Sequence, residues 1–327
     1  MRKTTKLYCG DVRAVVKDLG EATVDAVLTD PPYELGFLGH KWDTSGVAFQ
    51  RETWEELRRV CKPGAPLLAF GGTRTYHRVA SAIEEAGWDV RDCLQWLRGN
   101  GVPKNSDRTN TLGAAWKGYG DSLKPGHDPI ILARNPCDGT TVRNAMEFGC
   151  GLLNLDACRI PCTSKAKFPK GEYANPGIFS VGGNRNGEDA NPDSRCPTNI
   201  ILDETAAQIL EEQQAGASRF FYCSRATTGE RNAGLPPGVV NDHPCVKPLA
   251  LCRYLATLIL PPARDTPRRL LVPFSGSGSE IIGALMAGWD EVVGIEREDK
   301  YVHIAERRIM HWRFSQIEHH ASLRKSK

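Results

Sequence analysis

The sequence predicts an α/β protein built on a largely parallel sheet, and three observations carry that prediction. Short runs such as Val24–Leu28, Pro66–Phe70, Arg269–Phe274 and Glu291–Ile295 are apolar or β-branched almost throughout, as strands covered on both faces are. Amphipathic stretches with helical spacing alternate with them. Several runs end in proline or glycine, which puts a loop at the carboxyl end of the strand, where open α/β sheets bind ligands.

In chain order, Leu7–Asp11 reads as a strand running into a turn, and Val12–Leu19 as a short helix with Gly20 just beyond it. Val24–Leu28 is the second strand. Phe37–Trp42, with Gly36, Gly39 and His40, reads as a mobile loop. A helix starting at Arg51 shows Trp54, Leu57 and Cys61 on one face and stops at Pro63-Gly64. Pro66–Phe70 is the third strand. Tyr76, Val79, Ala80 and Ile83 mark the next helix, ended by Gly87, and Trp88–Leu97 is extended. This βαβαβ alternation predicts right-handed crossovers.

The texture changes at Gly99. From there to about Ser218 the chain is rich in Gly, Asn, Pro, Ser and Thr, with strand-then-helix character only at Pro197–Leu202 and Asp203–Gln213. Residues 165–195, including Gly182–Gly187, read as a functional loop or as disorder. Order returns with a strand at Arg219–Cys223. His243–Pro248 then leads into a helix showing Leu251, Tyr254, Leu255 and Leu258 on one face and ending at Pro261-Pro262. The strand Arg269–Phe274 runs into Ser275–Ser279, followed by a helix over Ile281–Ala287 stopped by Gly288. Glu291–Ile295 is a strand that ends at Glu296. Asp299 caps a last helix with Val302, Ala305, Ile309 and Trp312 on one face, and the basic tail from Arg313 frays.

The 327 residues suffice for one large α/β domain with an insertion, or for two domains. No apolar run has the length of a membrane span and the start shows no signal-peptide core, so a soluble, cytoplasmic protein is expected. The 11 cysteines include no C-x-x-C pair, which predicts reduced thiols and no metal site. The net charge of +3 lies wholly in the middle segment, where residues 98–195 carry 13 Lys and Arg against 10 Asp and Glu. That placement is a weak sign of a polyanionic partner.

Two loops carry chemistry. Asp30-Pro31-Pro32-Tyr33 is stiff, because two prolines forbid strand pairing and an immediate helix. The Asp30 carboxylate and the Pro31 carbonyl can accept both hydrogens of an amino group, while the Tyr33 ring can stack on a flat base. The second loop is Phe274-Ser275-Gly276-Ser277-Gly278, set between a strand and a helix. Its glycines let a ligand approach the backbone, and Glu296 at the next strand tip can accept two ribose hydroxyls. The third glycine of a dinucleotide fingerprint is absent, since position 281 is Ile281, and no Walker-A lysine follows.

Asp-Pro-Pro-Tyr early, His-Pro-x-x-Lys-Pro ending at Pro248, and Phe-Ser-Gly-Ser-Gly late resemble the beta-class DNA amino-methyltransferases, the S-adenosylmethionine-dependent family of phage and bacteria. The likeness covers residues 6–98 and 219–312. It implies a Rossmann-like class I methyltransferase sheet in circularly permuted order. Residues 1–98 would be the catalytic half, 99–218 an irregular target recognition insertion, and 219–327 the cofactor-binding half of the same domain. The strand at Leu7–Cys9 should then close against the late strands, turning Asp11 toward the cofactor's adenosine.

By the same resemblance, Asp30, Pro31, Pro32 and Tyr33 are catalytic; Phe274, Ser275, Gly276, Ser277, Gly278 and Glu296 hold the cofactor; and Lys247 lies near its methionine end. The implied activity is methylation of N6 of an adenine flipped out of double-stranded DNA. Cytosine N4 is the alternative target, and a DNA-binding protein with a decayed cofactor site is a different class of answer. A homodimer and a separately acting cognate restriction endonuclease are the implied partners. Two positions depart from the family pattern. Val272 stands where the family has an aspartate facing the cofactor's ammonium, and Glu280 replaces a threonine. Glu280 either restores a negative charge near the cofactor or faces solvent.

Overall fold

The structure, a computed structural model, describes residues 3–36, 39, 41–99, 111, 113–120, 122–161, 194–224 and 229–325. Phe37, His40 and nearly all of the 165–195 loop lie outside the described residues. The first half gives β1 (Thr4–Cys9), α1 (Val12–Val15), β2 (Ala26–Thr29), α2 (Arg51–Val60), β3 (Pro66–Phe70), α3 (Tyr76–Glu85) and β4 (Asp89–Leu97). The middle gives β5 (His127–Arg134), α4 (Thr141–Phe148), β6 (Ile160–Pro161), β7 (Ser194–Arg195), β8 (Ile200–Asp203), α5 (Glu204–Gln213) and β9 (Tyr222–Ser224). The last part gives α6 (Leu249–Leu258), β10 (Arg269–Pro273), α7 (Ser279–Ala287), β11 (Glu291–Glu296) and α8 (Asp299–Lys325).

Among the described residues nine strands form one sheet in the order β1-β11-β10-β2-β3-β5-β4-β8-β9, and β6 pairs with β7 separately. Only β5 runs antiparallel to its neighbours, against β3 on one side and β4 on the other. Alternate residues of the central strands feed two cores. Ala26, Leu28, Leu270 and Val272 pack with Leu251 and Leu255 of α6, Ile281 of α7, and Ala305 and Ile309 of α8. Val27, Leu67, Leu271 and Val293 face the other way, onto Val12, Trp54, Leu57, Val79 and Ile83 of α1, α2 and α3. This is the two-residue period of a strand with helices on both sides.

The centre of the sheet places the site. β10 and β2 are neighbours, with Leu270 opposite Ala26 and Leu271 opposite Val27. From β2 the chain crosses to β3, and from β10 it crosses to β11 on the opposite side. The strand order therefore reverses between β2 and β10, and a crevice opens at their carboxyl tips. β1 pairs in parallel with β11 from Thr4 opposite Glu291 to Cys9 opposite Glu296, so the expected closure of early on late strands is present.

Several expectations need correction. Within 99–218, the β5 strand is central to the sheet, so the insertion does not begin cleanly at Gly99. Pro129 inside this strand and His127-Asp128 at its start disguised it, since proline removes a ladder donor. β4 consequently pairs with β5 and β8 and not with β3. The strand expected from Arg219 begins at Tyr222, after a single turn of 3-10 helix at Ser218–Phe220. The first helix tightens into a 3-10 turn over Val16–Asp18 and leaves through extended Leu19, so Gly20 is no left-handed cap. Asp299 is the first helical residue of α8, whose opening amides at Tyr301 and Val302 bond to the carbonyl of Glu298. The tail from Arg313 continues as helix to Lys325.

Candidate active site at the strand tips

The Asp30 loop leaves β2 directly after Thr29, whose side chain is fully buried. The Asp30 side chain is only 10% exposed. Its Oδ2 accepts from Lys247 Nζ at 2.5 Å, and its enclosed Oδ1 has no partner among the described residues. Burial pushes the Asp30 carboxyl up, and the Lys247 charge opposes that shift. Burial also works against the Lys247 charge, yet Asp30 beside it outweighs this and holds the ammonium well above its usual range. Lys247 Nζ also donates to the Tyr33 hydroxyl at 3.3 Å and lies 4.6 Å from the centroid of the Phe70 ring. Burial, then the Asp30 charge, keeps Tyr33 a neutral phenol.

The turn after Tyr33 is fastened from outside the motif. The Tyr33 carbonyl accepts from Thr75 Oγ1 at 2.7 Å. Asp43, 2% exposed, accepts from the amides of Glu34 at 2.8 Å and Leu35 at 3.1 Å. Glu34 takes a left-handed φ of 56°, a strain that these bonds hold in place.

The glycine loop leaves β10 next door. Phe274, Gly276 and Gly278 have φ of 58°, 49° and 86°, a run that turns the chain sharply into α7. A Cβ on Gly276 would sit 2.9 Å from His243 Nε2, so glycine is required by both conformation and space. Glu296, 8% exposed, accepts from the Gly276 amide at 2.7 Å and the Glu298 amide at 2.8 Å. Burial raises its carboxyl and the backbone bonds counter that.

Beneath the loop, Arg308 and Asn241 are fully buried. Arg308 Nη1 donates to the Ser277 carbonyl at 2.5 Å and to Ser277 Oγ at 3.1 Å, and Asn241 Nδ2 donates to the same Oγ at 3.0 Å. The Asn241 Oδ1 accepts from the His243 amide at 3.1 Å. The His243 Nδ1 accepts from the Cys245 amide at 3.2 Å, so its proton is on Nε2. Burial lowers its pKa to about 4 and keeps the ring neutral.

One cavity of about 380 Å³ joins the two loops, and Asp30, Pro31, Pro32, Tyr33, Lys247, Phe274, Ser275, Gly276, Ser277, Glu296 and Asp11 all line it. Gly278 is not on the wall; it packs under α8, where a Cβ would meet Ala305 Cβ at 3.1 Å. Asp11 stands at the rim and is engaged by Arg13 at 2.8 Å, which holds its carboxyl low. Lys247 sits against Asp30 and Tyr33, at the Asp30 end of the cavity.

Sequence reasoning missed Asp43, Asn241 and Arg308. Arg308 had a signal: it falls on the apolar stripe of α8 with Ala305, Ile309 and Trp312, where an unpaired cation is costly. Asp43 and Asn241 act through backbone amides and carbonyls of other segments, which leaves no local pattern. Glu280, left open between cavity and solvent, is on the cavity wall and 4% exposed.

A family model described as DNA methylase, of the N6/N4 methyltransferase type, matches residues 24–307. Type II methyltransferase M.HpaI of Haemophilus parainfluenzae is 26% identical over 163 residues, a match spanning 48% of this chain and 43% of that protein. The chain thus aligns with less than half the length of that curated relative. The structure of the cytosine-N4-specific PvuII DNA methyltransferase superposes with a TM-score of 0.58 at 12% identity, covering 94% of this chain and 87% of that one. That likeness is one of fold. The M1.HpyAVI–SAM complex gives a TM-score of 0.48 at 18% identity over 93% of this chain and 100% of that chain.

Proposed function

Because the chain belongs to the DNA methylase family of N6/N4 amino-methyltransferases, we propose that it transfers a methyl group from S-adenosylmethionine to N6 of an adenine extruded from duplex DNA. The observation that carries this is the shared cavity: an enclosed carboxylate oxygen without a partner, Asp30 Oδ1, opens on the same space as the glycine loop and Glu296.

The residues present fit the cofactor. Asp30 Oδ1 and Ser275 Oγ are enclosed polar atoms without partners among the described residues, and each is an orphan that a bound polar ligand would satisfy. The carboxyl groups of Asp30, Glu280 and Glu296 give the wall acceptors that a sulfonium and an ammonium would draw into their ionised form. Glu296 would take the ribose hydroxyls with the lone pairs its two amides leave open, and the Gly276 backbone lets the nucleoside approach closely. Phe274, Ser275 and Ser277 would line the same nucleoside, with Asp11 at the adenosine edge. When bound, S-adenosylmethionine supplies a methyl group on a cationic sulfur.

The chain's own residues prepare the acceptor. An exocyclic amine of adenine is a poor nucleophile, because its lone pair is drawn into the ring. Asp30 Oδ1 and the Pro31 carbonyl would each accept one amino hydrogen, which moves the nitrogen toward tetrahedral geometry and frees the lone pair. Tyr33 would stack on the extruded base and Pro32 would keep the loop from yielding. Lys247 favours the ionised, accepting form of Asp30 against the effect of burial. Arg13, Arg74, Arg98 and Arg297 stand around the cavity, where guanidinium groups suit the phosphates of double-stranded DNA.

The test is direct. Duplex DNA is incubated with the protein and S-adenosylmethionine, digested to nucleosides, and the modified base is identified. N6-methyl-2′-deoxyadenosine is the expected product. N4-methylcytosine would move the target to cytosine, and an unmodified digest from a protein that binds DNA would point to a decayed cofactor site.

A further inference from the structure

We infer that Glu280 receives the α-ammonium of S-adenosylmethionine, an acid supplied by the first turn of α7 where the strand before it offers only Val272. This rests on the proposed function above and assigns one contact within it. Val272 is fully buried in the core and carries no charge. Glu280 is 4% exposed and lines the cavity. Other acids on that wall are already engaged: Asp30 by Lys247, Asp11 by Arg13, Asp128 by Arg98, and Asp43 and Glu296 by backbone amides. Among the described residues Glu280 has no ion pair, and its hydrogen bond runs to its own backbone amide. A buried carboxylate without a cation is costly to the free protein. It becomes favourable when a ligand brings a positive charge into the same space. The start of α7 favours the ionised form as well.

The groups facing Glu280 come from four elements. Asp30 reaches it from the loop after β2, Lys247 from the segment before α6, Arg308 from α8, and the Cys252 thiol lies on α6. Burial and the Asp30 charge raise the Glu280 carboxyl to about 7, while Lys247 and Arg308 pull the other way. A bound ammonium adds a further cation and draws the carboxyl down. Binding at pH 6.5 therefore releases a proton from Glu280, because the free protein holds it mostly protonated there. The ligand's own α-amino group, with a usual pKa of about 7.7–8.0, stays charged at that pH.

Isothermal titration of wild type and Glu280→Gln at pH 6.5 tests this with two ligands: S-adenosylmethionine, and 5′-methylthioadenosine, which keeps the adenosine and sulfur but lacks the amino-acid end. The substitution should weaken S-adenosylmethionine by about tenfold to hundredfold, the range of a charge-assisted hydrogen bond, and leave 5′-methylthioadenosine unchanged. Repeating the wild-type titration in two buffers of different ionisation heat should show proton release that the variant lacks. Unchanged S-adenosylmethionine affinity, or equal weakening of both ligands, would overturn the assignment. A wild-type protein that binds neither ligand would instead remove the proposed function, and the assignment with it.

Discussion

At the scale of single residues, the proposed chemistry turns on the pair formed by Lys247 and Asp30. The carboxylate must be ionised to accept an amino hydrogen, yet burial pushes it toward the neutral acid. Lys247, 2.5 Å away, is the charge that holds it. Replacing Lys247 by Met removes that charge and lets the Asp30 carboxyl rise further. Methyl transfer at pH 7 should then fall by about hundredfold, and the acid limb of its pH profile should move to higher pH, so that activity recovers in alkaline buffer. A lower rate with an unmoved profile would mean that Lys247 serves the cofactor and not Asp30. This partnership spans 217 residues of chain, so no local pattern could show it. Lys247 was expected near the methionine end of the cofactor from motif likeness. The Asp30–Tyr33 tetrad was legible, because two prolines after an apolar strand admit few conformations.

At the scale of elements, the site depends on β2 and β10 staying in register, although their ladder is short. The tie that holds them lies at the other end of these strands, where they begin. Asp25, fully buried, accepts from the Arg269 amide at 2.8 Å, Lys62 Nζ at 2.7 Å and Arg264 Nη2 at 2.6 Å. Its own amide donates to the Arg269 carbonyl at 2.9 Å. Asp25→Ala leaves two cations without their anion, and should cost about 3–5 kcal/mol of unfolding free energy in denaturant titration. Affinity for S-adenosylmethionine measured well below the transition should change little, since the cavity is at the far tips. A loss below about 1 kcal/mol would show that the ladder holds its register without this network. The strands around the site were readable because they are short, apolar and closed by Pro or Gly. β5 was not, because Pro129 and the polar pair His127-Asp128 break the usual signature and its place is set by neighbours on both sides. α8 reads helically beyond Arg313, where the polar sequence alone gave no reason for order.

At the scale of the whole molecule, motifs far apart in sequence meet at one end of the strands because β1 closes against β11 while β10 lies beside β2. Asp30 precedes Gly276 by most of the chain, yet both leave neighbouring strand tips and line one cavity. The order of the motifs predicted that closure. What it did not give is the inner frame of Arg308, Asn241 and Asp43, whose side chains reach the loops from other segments. The most direct measurement is a crystal structure with S-adenosylmethionine. Its ribose should lie against Glu296 and its sulfonium methyl within roughly 6 Å of Asp30 Oδ1, one hydrogen bond plus one near-attack distance. A cofactor bound with its methyl turned away from Asp30, or seated outside this cavity, would contradict the shared site.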